Sequence, residues 1–305
     1  MVYWGQLGSR PSTILLKYVG QTFGTWRLIA RTPADAVFVM TPPPVAVLAV
    51  YLACLVKRVP FVVDAHSGAF QHPRWRKFQS FQFWLLRRAA TTIVTNEHLA
   101  SLVRQHGAHA TVVPDVPVSF GLEPAVSPGE TPFTVVCVTS FDRDEPIEVM
   151  FEAARRLPDI PFLMTGRPNS PDRLRGLDRP PNLTLTGFLE TRTFGELIRD
   201  AGVVMALTTD DHTMQRGAWE AIYQGTPVIV SDFPLLRAEF ASGAIHVAND
   251  AEAVVAAVRQ MQVRRSQYRD GARELKARKE GRWQAVRTAL LEAIGRRSQL
   301  PSSNR

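Results

Sequence analysis

Apolar and polar positions along the chain follow two periods that take turns. Residues 12–30 (STILLKYVGQTFGTWRLIA) carry a helical period, and residues 35–40 (DAVFVM) form a short β-branched run that stops at Pro42-Pro43-Pro44. The exchange then repeats. Residues 45–56 predict a buried helix, 60–63 a strand, 74–88 an amphipathic helix, 91–94 a strand, 97–105 a helix and 110–113 a strand. Residues 114–132 (PDVPVSFGLEPAVSPGETP) are rich in Pro, Gly and acidic side chains and read as a linker. Beyond them the pattern restarts, with strands expected at 133–138, 161–165, 183–185, 203–207 and 228–230, and helices at 146–157, 193–200, 214–224 and 251–259. Residues 263–297 are helical in composition, and 299–305 read as a frayed end.

Short strands alternating with helices imply parallel sheets built from βαβ units. With a linker in the middle, the expected fold is α/β with two Rossmann-like lobes and ligands bound in a cleft at the carboxyl ends of the strands. The lobes are expected at 1–125 and 126–262, followed by basic helices at 263–305. A composition of 45% hydrophobic and 21% charged residues fits globular domains and excludes a disordered or collagen-like chain. The apolar run 45–56 is too short to span a bilayer, and the first residues show no basic stretch followed by an apolar segment, so the expected location is the cytosol. Cys54 and Cys137 lie far apart in apolar runs, which predicts core thiols rather than a disulfide or a zinc site.

The net charge of +8 is segregated, with +7 over residues 1–125, −8 over 126–252 and +9 over 253–305. Two basic regions around an acidic middle point to an anionic partner, either a lipid surface or a nucleic acid. Residues 72–88 (HPRWRKFQSFQFWLLRR) sharpen this. They interleave Arg74, Arg76, Lys77, Arg87 and Arg88 with Trp75, Phe78, Phe81, Phe83 and Trp84, a composition suited to an interfacial helix on anionic lipid. It also suits single-stranded nucleic acid, but no RNA-binding fingerprint accompanies it.

Two runs carry candidate chemistry. Residues 208–232 (TTDDHTMQRGAWEAIYQGTPVIVSD) read as a polar loop after a strand, then a helix starting near Thr213 whose first amides are free to meet a phosphate. Glu220, further along that helix, is suited to accept two ribose hydroxyls. Gly225 and Pro227 end the helix before the next strand. In the other run, FVVDAHSGAF, Asp64 and His66 sit at the end of a buried strand.

The run WEAIYQGTPVIVSD resembles the helix-turn-strand signature of GT-B glycosyltransferases of the family 4 type, a family of bacterial surface polysaccharide and glycan biosynthesis. Glu220 matches the family's second motif glutamate, which the resemblance implies binds the ribose of the sugar nucleotide. Eight positions earlier, where the family has a glutamate for the transferred sugar, this chain has His212, preceded by Asp210 and Asp211. Either His212 or Asp211 takes that place, or donor selection differs, or activity is reduced. Residues 134–156 (TVVCVTSFDRDEPIEVMFEAARR) are similar to the family's first donor-lobe strand, loop and helix. There the family holds the diphosphate with an Arg and a Lys. This loop has Arg143 but Asp144-Glu145 in place of the lysine, so Ser140, Arg216 and backbone amides are expected to assist. LTLTGFL, with Gly187 and Phe188, resembles the turn that holds the nucleobase. His66 matches a histidine that contacts sugar or acceptor.

The resemblance thus implies a hexosyltransferase moving a sugar from a UDP- or GDP-linked donor to a lipid-linked or polysaccharide acceptor. Transfer is expected to be retaining, without a metal or other cofactor and without nucleic acid. The enzyme is expected to be peripheral at the inner membrane face, which Arg74, Trp75, Arg76, Lys77, Trp84, Arg87 and Arg88 would meet. In GT-B proteins the last helices commonly return to the first lobe, which would add the +9 tail to that face. The family's first lobe opens with a central strand and a Gly-rich loop ahead of the strand that Val2-Tyr3-Trp4 matches, and these are expected to be missing. A truncated or non-catalytic GT-B relative acting as a membrane-associated partner is therefore the alternative, and an epimerase has only the fold in its favour.

Overall fold

A computed structural model describes residues 11–71, 73–122, 132–168 and 171–299. The chain divides into two compact units. One runs to Pro114 and takes back the chain from Gln284 onward, and the other is Asp115–Trp283.

The first unit contains α1 (Pro11–Arg31), β1 (Val37–Thr41), α2 (Pro44–Lys57), β2 (Phe61–Ala65), α3 (Gly68–Gln71), a 3₁₀ turn at Pro73–Phe78, α4 (Gln79–Leu86), β3 (Thr92–Val94), α5 (Glu97–Gln105) and β4 (Ala110–Val112). Its sheet is parallel in the order β1-β2-β3-β4, with Val37 beside Phe61 and Thr41 beside Ala65. Phe61, Val62 and Val63 are all buried because a parallel strand is covered on both faces, which is why this run is continuously apolar. Helix α2 packs Val47, Val50, Ala53 and Cys54 into the same core. The Asn96 side chain caps α5 by accepting from the Leu99 amide at 2.9 Å.

The second unit contains β5 (Val135–Cys137), α6 (Ile147–Arg156), β6 (Phe162–Thr165), a 3₁₀ turn at Pro171–Leu174, β7 (Leu183–Gly187), α7 (Thr191–Asp200), β8 (Val203–Ala206), α8 (Arg216–Tyr223), β9 (Val228–Ser231), α9 (Pro234–Glu239), β10 (Ala244–Val247) and α10 (Ala251–Val263). Its sheet is parallel in the order β10-β9-β8-β5-β6-β7, so the order reverses at β5 between β8 and β6. A crevice for a ligand belongs at the carboxyl ends of the strands at that reversal. Helix α11 (Arg265–Gln299) starts in the second unit and ends in the first, where Leu290 meets Val62 and Ala90.

Several expectations are corrected. The helix expected over 74–88 is a 3₁₀ turn followed by α4. In that turn Trp75 and Phe78, three residues apart, lie on one side with ring centroids 6.3 Å apart. Helix α8 begins at Arg216, so Thr213 lies in the loop before it rather than in its first turn. The short α9 and β10 were not expected, because His246 interrupts the apolar run and leaves β10 only half-buried. The strand expected at Val2-Tyr3-Trp4 lies outside the described residues. Both cysteines are free and buried, and burial pushes their thiols up to about 11 for Cys54 and about 12 for Cys137. Among the described residues no helix is long and apolar enough to cross a membrane.

Candidate functional site

In the second unit, the carboxyl ends of β5, β6 and β7 and the first turns of α7 and α8 surround a pocket of about 340 Å³. Thr139, Gly166, Phe188, Phe194, Arg216 and Glu220 are among its lining residues. The floor is tightly built. The Thr139 hydroxyl donates to the Thr165 carbonyl at 2.7 Å, and the Gly166 amide donates to the Gly187 carbonyl at 3.0 Å. Gly187, at φ +71°, turns the chain out of β7, and Phe188 beyond it is 82% exposed at the pocket rim. A ring held there offers a planar apolar surface for another ring to stack on.

Glu220 is the carboxylate of the pocket. Its side chain is only 14% exposed, and Oε1 accepts from the Nε of Arg216, one helical turn earlier, at 2.9 Å. Helix α8 can come this close to β5 because residue 217 is glycine. A Cβ there would lie 2.5 Å from the Val138 side chain, so Gly217→Ala is expected to push α8 outward and weaken any ligand that Glu220 holds, readable by titration against the unaltered chain.

The β5–α6 loop beside the pocket is already well bonded. The Ser140 amide donates to both oxygens of Glu145 at 3.0 and 3.1 Å, and the Asp142 amide donates to Oε2 at 3.0 Å. The Ser140 hydroxyl, with its one proton, lies within donating reach of Asp142 Oδ2 at 3.0 Å and Glu145 Oε1 at 3.2 Å. The guanidinium of Arg173 fixes the loop from behind, donating to the carbonyls of Phe141, Asp142 and Glu145 at 3.2, 2.9 and 2.8 Å. Asp144 ties the loop to the β8–α8 connection, accepting from the Thr208 hydroxyl at 2.9 Å and from the Thr209 amide at 2.6 Å. Arg143 is exposed.

Residues before α8 are anchored from below. The Thr208 amide donates to Ser231 Oγ at 2.9 Å, Ser231 donates to Asn249 Oδ1 at 2.7 Å, and Asn249 returns a bond to the Thr208 carbonyl at 2.7 Å. His212 sits at φ +62°, its amide bonded to Asp211 Oδ1 at 2.7 Å and its ring 3.7 Å from that carboxylate.

A family described as "Glycosyl transferase 4-like domain" matches residues 1–118, and one described as "Glycosyl transferases group 1" matches residues 132–262. The chain belongs to the glycosyltransferases. Among solved structures, sucrose-phosphate synthase from Thermosynechococcus elongatus is similar to this glycosyltransferase with a TM-score of 0.72 at 15% identity, covering 94% of this chain and 80% of that one. HepE of Anabaena, solved with UDP and glucose, matches with a TM-score of 0.71 at 13% identity, over 93% of this chain and 83% of that one. The pneumococcal O-GlcNAc transferase GtfA, solved with UDP and GlcNAc, matches with a TM-score of 0.67 at 16% identity, over 92% and 60%. The two parallel sheets thus match the two-lobed GT-B architecture. Comparison with curated proteins gives no significant sequence match.

Of the sequence-predicted donor residues, the glycosyltransferase gathers Phe188, Arg216 and Glu220 around one pocket. Gly187 directly precedes Phe188, and Ser140 directly follows Thr139, although its amide and hydroxyl are engaged by Glu145 and Asp142. Asp211, His212 and Thr213 precede α8 and are not among the pocket-lining residues. Asp64 and His66 belong to the first unit, half-exposed, with Nε2 3.8 Å from Oδ2. On the aromatic segment, Arg74, Arg76, Lys77 and Arg87 are exposed, and Arg74 lies 5.2 Å from the Trp75 ring centroid. Trp84 packs edge-on against Tyr51 at 5.8 Å, and Arg88 covers its ring at 3.6 Å. Sequence reasoning missed Gly166, Arg173 and Asn249. Only Gly166, directly after a predicted strand, left a signal.

Proposed function

We propose that this glycosyltransferase takes its sugar from a UDP-linked donor held in the pocket of the second unit. The observation that carries this reading is the largely buried Glu220 carboxylate lining the same pocket as the exposed Phe188 ring. Glu220 would accept from two ribose hydroxyls, and Phe188 would cover one face of the base. Arg143, Arg216, the Ser140 loop and the amides before α8 would stabilise the departing diphosphate as an oxocarbenium-like sugar develops. Asp211 or His212 would meet the transferred sugar, and His66 with Asp64 would serve sugar and acceptor. Uridine is chosen over guanosine because HepE and GtfA, which share the fold, were solved with UDP. Transfer with retention and without a metal completes the reading. Glu220→Ala should weaken UDP binding roughly 10- to 100-fold, the loss of hydrogen bonds to a charged acceptor. Calorimetric titration of UDP into both proteins checks this, and equal affinities would sink the assignment.

The acceptor is proposed to be lipid-linked or a growing polysaccharide, met at the inner face of an anionic membrane. In the first unit, Trp75, Phe78 and Phe81 line an apolar hollow of about 180 Å³ together with Tyr18, Pro43, Pro44 and Val45. Helix α1 adds Leu16, Val19, Phe23 and Trp26, all exposed at helical spacing. Neither residues 11–31 nor residues 73–88 contain an Asp or Glu, so both segments carry a net positive charge. Exposed aromatic side chains interleaved with basic ones suit anionic lipid. The triple variant Arg74→Gln, Arg76→Gln, Lys77→Gln should lower binding to vesicles of one-third phosphatidylserine by roughly 100-fold, at about 1 kcal/mol for each cation. Flotation reads this, and a variant that floats as well as the parent overturns the membrane reading.

A further inference from the structure

The β5–α6 loop carries a built-in anion. Phe141, a buried non-glycine residue, sits at φ +59°, in the left-handed region that L side chains disfavour. That single left-handed residue turns the amides on either side of it, those of Ser140 and Asp142, toward one point. Amides converging in this way make a concave nest for an oxyanion. The oxyanion in it is Glu145, whose two oxygens lie 3.0 to 3.1 Å from the two donating amides, the Ser140 amide being shared between them. Arg173 secures the nest through the Phe141, Asp142 and Glu145 carbonyls, so it persists whichever anion fills it.

We propose that Glu145 is an affinity-setting residue of the donor site, its carboxylate occupying the nest that a donor phosphate would otherwise take, so that donor binding proceeds against it. This rests on the nucleotide-sugar reading of the adjoining pocket. The nest follows Thr139, which lines that pocket at the strand end where nucleotides bind in parallel sheets. A phosphate oxygen and a carboxylate oxygen make the same demands on two amides, and two such anions do not share one nest. The other charged groups around it are Asp142, whose carboxylate takes the Ser140 hydroxyl, and Asp144, which takes the Thr208 hydroxyl. Arg143 is exposed in the same loop, and Arg173 points at the loop carbonyls and at Glu148, 3.8 Å away. Burial raises the Glu145 carboxyl above its ordinary range, so it gives up its charge earlier than a solvated glutamate as pH falls.

Glu145→Gln keeps a carbonyl oxygen for the amides and removes the charge. Titrated with UDP at pH 8, this variant should bind roughly tenfold more tightly than the parent, with the gap closing as pH is lowered, because the parent loses the same charge. UDP's own phosphate titrates alike against both proteins, so the difference between them isolates Glu145. Asp144→Asn removes one negative charge from the same loop outside the nest and should give a much smaller gain. Equal or weaker UDP binding by Glu145→Gln overturns the proposal and leaves the nucleotide reading standing. A gain of the same size in Asp144→Asn overturns it too, by reducing the effect to net charge. Binding of neither UDP nor GDP by the folded parent and both variants overturns the nucleotide reading and this proposal together.

Discussion

Replacing Gly166 by alanine should destabilise the second unit by about 2–4 kcal/mol, the sum of a forced left-handed residue and a steric overlap. Gly166 sits at φ +93°, and a Cβ built there would lie 2.1 Å from the carbonyl oxygen of Thr139 and 3.0 Å from its carbon. Backbone, not a movable side chain, is in the way. Thr139 cannot step back cheaply, since its hydroxyl is bonded to the Thr165 carbonyl and it lies only two residues past β5, which is paired on both sides in the sheet. Gly187 supplies the comparison. It is also left-handed, at φ +71°, but a Cβ there meets nothing within 4 Å, so Gly187→Ala should cost only about 1 kcal/mol. Urea unfolding of the two variants measures both effects. Because Gly166 also lines the pocket, Gly166→Ala should lose UDP affinity at temperatures where it is still folded, whereas Gly187→Ala should keep most of it. Equal stability of Gly166→Ala and the parent would mean that the two strand ends do not approach as described.

The contrast between these glycines marks what the sequence could and could not disclose. Buried parallel strands announce themselves, because runs such as FVV and VVM must be apolar on both faces, and nine of the ten strands among the described residues lie in apolar segments that the pattern picks out. Glu220 was singled out differently, by the resemblance of the helix-turn-strand run that contains it, in which Gly225 and Pro227 have fixed offsets, and it lines the pocket. The rest of the site depends on contacts between distant segments. Arg173 reaches back 31 residues to the Asp142 carbonyl, and Asn249 reaches back 41 residues to the Thr208 carbonyl, and neither spacing leaves a periodic trace. The Glu145 carboxylate was read from sequence only as the place of an absent lysine. Its bonds come from a left-handed Phe141, a conformation that no local rule assigns to phenylalanine. The segment 74–88 was misjudged in shape and not in composition, because aromatics three apart fit a 3₁₀ turn and an α-helix about equally well on paper.

Glu239→Leu should cost the second unit about 3–5 kcal/mol, the usual penalty for leaving a buried charge without its partner. Lys279 on α11 is only 8% exposed and pairs with Glu239 at the end of α9, itself 12% exposed. Arg282 adds a second bond to the same carboxylate at 3.1 Å, and the Lys279 ammonium lies 4.3 Å from the centroid of the Trp219 ring. Removing the carboxylate leaves that ammonium against the Trp219 face, with Asp115 acting on it electrostatically, and a cation–π contact offsets only a fraction of the loss. The double variant Glu239→Leu, Lys279→Met removes both charges and should recover most of the loss, because an apolar pair of similar volume avoids the desolvation altogether. Denaturation midpoints of the parent, the two single variants and the double variant close this cycle. The pair matters to the site through α8. Trp219 packs at a tilt against Phe240, with ring centroids 4.4 Å apart, and is the residue before Glu220, so holding Trp219 between Lys279 and Phe240 sets where the next position of α8 delivers its carboxylate. If that coupling holds, Glu239→Leu weakens UDP binding and the double variant restores it, and a single variant that binds UDP as the parent does would confine the ion pair to stability alone.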